Sequence, residues 1–193
     1  MTRITLLLSL CLLALAAPLS AAPLKALIVD GQNNHAWAQT TPVLKQYLIE
    51  SGLFDVDVAT SPAKGQDMSN FNPKFSNYQV VVSNYNGQDW PMEVRRDFEN
   101  FVKNGGGFVS VHAADNSFPG WKAYNEMIGV GGWGGRSEKS GPWLYVKDGK
   151  LFRDPIAGNG GAHGAQHEFV VEVQNPDHPI TRGLPKRWLH AKD

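Results

Sequence analysis

Three continuous apolar runs, at residues 24–30 (LKALIVD), 78–83 (YQVVVS) and 108–111 (FVSV), each end in a polar loop. Runs of this length and continuity suit strands covered on both faces, which requires a parallel sheet with helices on each side. The segments between them supply those helices. Thr41 and Pro42 read as an N-cap and first helical residue, followed by Val43, Leu44, Tyr47 and Leu48 at helical spacing and a stop at Ser51–Gly52. Pro91 opens a second helix whose stripe is Val94, Phe98, Phe101 and Val102, and Asn104 with Gly105 to Gly107 ends it. Residues 54–59 (FDVDVA) alternate, as in a strand with one wetter face. The pattern predicts an α/β fold built on a doubly wound, mostly parallel sheet with helices on both faces.

In such sheets ligands bind at the carboxyl ends of the strands. The first run delivers Asn33, Asn34, His35 and Trp37 there, the second Asn84, Tyr85, Asn86 and Asp89, and the third His112, Asp115 and Asn116. Two readings of His112 stay open: a strand-end histidine held by backbone groups, or a reacting group facing a crevice. After a helix over 121–128, residues 129–136 (GVGGWGGR) contain a formal G-x-G-x-x-G. A dinucleotide fingerprint must follow a strand and open a helix, whereas this one follows a helix and runs into polar loop. Close backbone approach to a ligand is its better use, with Trp133, Gly134 and Arg136 presented from the turn. Residues 143–146 and 151–153 flank Asp148–Gly149, a hairpin signal. His163, His167 and Glu168 precede an alternating run from Phe169 to Val173, and a Pro-rich turn leads to RWLHAKD with His190. The segment 164–168 is not a protease zinc motif, because its Glu follows the second His and its Gly content opposes a helix.

Composition bounds what such a site can do. Arg3, an apolar run over 4–17 and the small residues of 18–22 have the layout of a secretory leader, too short to span a membrane. Cleavage after Ala22 would leave Pro23 first, and cleavage after Ala21 places Leu19 at the third position back. The single cysteine, Cys11, lies in that leader behind Leu10, where a lipid anchor signal needs a small residue. The remaining chain therefore carries neither disulfide nor thiol nucleophile. Without Arg3 it has 17 basic residues against 18 acidic ones, which leaves no footprint for nucleic acid or for an anionic membrane. Of six tryptophans, Trp37, Trp90 and Trp133 fall in stretches read as polar loops.

Several phrases in order, KALIVDGQNNHAW, VVVSNYNGQDWP, NGGGFVSVHAADN, YNEMIGVGGWGGR, GAQHEF and NPDHPITRGLPKRWLHAKD, resemble the ThuA-like family of trehalose-utilisation proteins, in particular its secreted bacterial branch. The resemblance implies a flavodoxin-like fold shared with class I glutamine amidotransferases. It divides the chain into a leader, 1–22, and a ThuA-like domain, 23–193, that stops short of the family's usual C-terminal part and without a closing strand. In amidotransferases the turn after the central strand carries a cysteine; here Val111, His112 and Ala113 stand there, so glutaminase chemistry is excluded.

What the resemblance implies about function is utilisation of trehalose or a related disaccharide, with 3-keto sugars as a further substrate class and no cofactor specified. Asn and Asp can bind vicinal hydroxyls, Trp can stack on a sugar's C–H face, and His can exchange protons near neutral pH. The candidate catalytic residues are His112, Asp115, His167 and His190, with His167 or His190 as the partner of His112. The candidate sugar contacts are His35, Trp37, Asn84, Asn86, Asn116, Trp133, Gly134, Arg136 and His163. A noncatalytic sugar-binding module and a divalent-metal site on the same edge are the alternatives. Five of the six histidines lie near predicted strand ends or in the loops beyond them, which favours proton or metal chemistry over passive binding, but no spacing singles out a ligand set. The expected partner is a small sugar, with no nucleic acid and, after leader removal, no membrane.

Overall fold

The computed structural model describes residues 22–129, 131–132, 134–161 and 164–191. Its centre is a four-stranded parallel sheet in the order β2-β1-β3-β4. The strands are β1 (Leu24–Asp30), β2 (Phe54–Thr60), β3 (Val80–Ser83) and β4 (Gly107–Ser110). Helices α1 (Trp37–Glu50), α2 (Met92–Lys103) and α3 (Lys122–Ile128) accompany them. Strand β1 is the axis, with Ala26 to Asp30 all buried. Its alternate residues feed two cores. Ala26 and Ile28 join Val56, Val82 and the α1 residues Leu44 and Leu48, while Leu27 and Val29 join the aromatic core that α2 and α3 close. This is the doubly wound, flavodoxin-like α/β arrangement expected.

The aromatic core is centred on Trp90, which is 2% exposed and meets Phe75, Phe98, Phe118 and Trp121 with ring centroids 5.1–6.0 Å apart. Trp90 does lie in the loop after β3, but the reading of that stretch as a polar loop is corrected: it folds inward, because a ring of that size is worth more under α2 than in water. An Arg95–Asp89 ion pair of 2.6 Å and a bond from Arg95 Nε to Trp90 O hold the fold-back in place.

Three further expectations change. Helix α1 begins at Trp37, not Thr41, so Trp37 lies in a helix and Pro42 inside it. Early i→i+3 bonding tightens this first turn, and Thr41 is buried with its hydroxyl turned to Asn84 instead of capping. Strand β4 is not covered on both faces, for Val109 is 47% exposed, and among the described residues β4 pairs with β3 alone. The last segment does form a strand, β8 (Arg187–His190), antiparallel to β7 (Phe169–Glu172). The hairpin β5 (Trp143–Lys147) with β6 (Lys150–Asp154) turns at Asp148–Gly149 as expected, both residues having positive φ. No described helix is long and apolar enough to cross a membrane.

Because Phe98 touches both the Trp90 cluster and β4, Phe98→Ala is expected to cost about 3–5 kcal/mol of stability, measurable by urea denaturation.

Candidate functional site

Strand β1 connects to β2 on one side and neighbours β3 on the other, so chain direction across the sheet reverses between β1 and β3. A crevice opens at such a switch point. Its floor is a set of loop-to-loop bonds. Asn84 N donates to Val29 O (2.9 Å), Asn86 N to Gln32 O (2.8 Å), and Gln88 N to Gln32 Oε1 (2.9 Å). Gln32 is 4% exposed and also donates to Pro62 O at 2.7 Å. It staples three loops, and nothing in its sequence context distinguishes it from a surface glutamine.

On this floor the histidines of two loops meet. Nε2 of His112 lies 3.1 Å from Nε2 of His35, with the rings edge to face and their centroids 4.5 Å apart. His35 follows β1 and is set by an Asx turn, its N–H donating to Asn33 Oδ1 at 3.0 Å. His112 follows β4 and has φ +46°, the left-handed region that side chains other than glycine rarely occupy. Strain of this kind costs about 1–3 kcal/mol and persists where surrounding structure imposes it, often at functional sites. The ring thus projects from a sharp turn where β4 gives way to the short 3-10 helix His112–Asn116.

Beside the pair is a cavity of about 290 Å³ lined by His35, His112, Gln39, Thr40, Asn84 and Val111 among others. That is close to the lower end of small-molecule sites. Asn84 spends its amide N–H groups on Thr40 and Thr41 Oγ1 (2.9 and 3.0 Å), and Asn86 donates to Asn34 Oδ1 (2.7 Å). Both brace the wall, and the two histidine rings and the exposed Gln39 side chain line the opening.

A second wall stands on the far side of His112. Asp115 O accepts from Gly132 N at 2.8 Å. The Asn116 amide, oriented with its nitrogen inward, donates to Asp115 Oδ1 (3.2 Å) and Gly132 O (2.7 Å). A Cβ on Gly132 would press on the inward end of the Asn116 amide and lie 2.9 Å from both Asp115 carboxylate oxygens. The close approach in the Gly-rich loop is thus to the protein's own acidic turn. Burial raises the Asp115 carboxyl above its ordinary pKa, with His112 and Arg136 pulling it down less strongly. Arg136 lines a larger cavity of about 580 Å³ with Trp143, Lys122 and Arg153, and Gly134 is exposed at the turn before it.

Of the other candidates, Trp37 is half-buried on the first turn of α1. His167 and His190 gather around Phe169 on the β7–β8 hairpin, with ring centroids 6.2 and 4.8 Å from it. The ring that faces His112 is that of His35. Trp133 and His163 lie outside the described residues. Besides Gln32, sequence reasoning missed Asp30 at the end of β1, 2% exposed with Oδ1 lacking a hydrogen-bond partner among the described residues. Its only signal was an acidic residue closing an otherwise apolar run.

Since the folded state holds the Asp115 proton more tightly than the unfolded chain, ionising this carboxyl opposes folding. Asp115→Asn is therefore expected to raise stability at neutral pH, with the gain shrinking as pH falls through the carboxylate range, as denaturant titrations across pH would show. Gly132→Ala is expected to lower it.

The ThuA family model, described as trehalose utilisation, matches residues 25–193. Among solved structures, a ThuA-like protein from Parabacteroides merdae is 53% identical, with a TM-score of 0.84 over 89% of this chain and 62% of its own. A second, from Bacteroides uniformis, is 22% identical with a TM-score of 0.57, covering 92% of this chain and 62% of its own, and shows likeness of fold. The chain thus spans about 62% of the length of these relatives. A comparison with curated proteins finds no match. With the flavodoxin-like strand order and a family match that runs through every phrase carrying the crevice, the chain belongs to the ThuA family, which is implicated in trehalose utilisation.

Proposed function

We propose that this is an exported protein of carbohydrate utilisation that acts on trehalose, a related disaccharide or its 3-keto form, using His112 and His35 for proton transfer. The observation that carries the reading is the 3.1 Å contact between the two Nε2 atoms beside a sugar-sized cavity. Two imidazoles at that separation hold one proton between them, so one nitrogen is poised to give a proton and the other to take one. Removal of a proton next to a keto-sugar carbonyl, or its delivery to a glycosidic oxygen, needs such a pair. Proton transfer of this kind would serve isomerisation, epimerisation or lytic cleavage beside a carbonyl.

The noncatalytic sugar-binding alternative is less well supported. A passive site would be built from amide donors, and the amides of Asn84 and Asn86 are committed to Thr40, Thr41 and Asn34. His167 and His190, on the β7–β8 hairpin, would contribute from a separate patch. Export is supported by the Arg3 start, the apolar run over 4–17 and the small residues before Pro23.

Thermal-shift and turnover assays with trehalose, related disaccharides and their 3-keto forms test the reading. The mature protein is expected to be stabilised by one of them and to transform it, and His112→Ala to lower turnover by about 10²–10⁴-fold. Stabilisation without turnover in the native protein would favour the binding module, and no response to any sugar would sink the carbohydrate reading. Fractionation of cells expressing the full chain should recover a product shortened to near Pro23 outside the cytoplasm.

A further inference from the structure

We infer that His35 and His112 form a two-histidine seat for one divalent transition-metal ion of the zinc class. Zinc–imidazole bonds of about 2.0–2.1 Å put two ligating nitrogens about 3.3 Å apart at the tetrahedral angle and about 2.9 Å apart at a right angle. The 3.1 Å between the Nε2 atoms falls between these values. Imidazoles joined head-on by an N–H···N bond would hold their centroids well beyond the observed 4.5 Å, so the ring axes are inclined to the line between the nitrogens. The same inclination suits two lone pairs that reach one ion from different directions once the proton shared by the ion-free pair is displaced.

The surroundings fit an open site. Each ring hangs from a backbone position set independently, His35 by its Asx turn and His112 by its left-handed elbow, so the nitrogens are brought together before any ion arrives. Among the described residues no group of three or more His, Cys, Asp or Glu side chains is placed to hold a metal. The ion would therefore keep positions for water or for a ligand in the adjoining cavity, as catalytic sites do and structural sites do not. Neighbouring oxygens of a hydroxy-carbonyl unit are a natural bidentate ligand for such an ion. That last role rests on the carbohydrate reading; the seat itself does not.

The test is calorimetric titration of Zn²⁺, and of Co²⁺ followed by its visible spectrum, into chelator-stripped full-length mature protein, with thermal shifts recorded in parallel. One ion per chain is expected. His35→Asn and His112→Asn should each weaken it at least about tenfold, while His178→Ala, in the turn that joins β7 to β8, should not. Asparagine at position 112 tolerates the left-handed backbone, so loss of binding there would not reflect misfolding. Absence of binding in the native protein, or binding that survives both substitutions, overturns the seat. Repeating the sugar titrations with chelator present separates the two ideas. A sugar response that persists while no ion binds would leave the proposed function standing alone, and ion binding without any sugar response would do the reverse.

Discussion

The structure depends on burying β1 from both sides. A strand whose residues Ala26 to Val29 face apolar surroundings on alternate sides must have helices above and below it, and it leaves the sheet free to grow in both directions from its centre. Growth toward β2 uses α1, and growth toward β3 and β4 uses the opposite layer. The gap between the two directions lies at the carboxyl end of β1. The location of the crevice therefore follows from hydrophobic burial, before any residue in it is considered.

What fills the crevice is a polar scaffold that holds strained and exposed groups in place. Gln32, Asn33 and Asn86 use their amides on neighbouring loops, Thr40 and Thr41 of α1 accept from the Asn84 amide, and Trp90 locks the β3 loop into the core. With these commitments made, the left-handed conformation of His112 can be sustained and its ring held against His35. Stability is spent here for position, most visibly at Asp115, whose carboxyl is harder to ionise in the folded protein. The strained turn after β4 presents an imidazole to the crevice.

Local pattern sufficed for much of the fold. The strands β1 to β4, the helices α1 to α3 and the Asp148–Gly149 hairpin were legible because each has a run, a period or a turn signal of its own. The departures have physical causes. Thr41 and Pro42 look like a helix start, yet packing against Asn84 recruits an earlier turn and places the proline inside the helix. Trp90 sits between Asp89 and Pro91, a polar setting that says loop, but burial of its ring outweighs the local chemistry. Val109 belongs to an apolar run, and only strand order reveals that its side of the sheet is open.

For the site, the sequence determined the chemical inventory: histidines and amides at strand ends, a single cysteine at position 11, and a balanced charge. It could also place His112, Asp115 and Asn116 on the crevice edge, since strand ends share that edge in a parallel sheet. Which histidine meets which was decided by tertiary structure alone. His35 and His112 are separated by 77 positions and come from loops after β1 and β4, so no spacing rule links them. Their meeting needs both the strand order and a backbone conformation at His112 that only packing can hold in place.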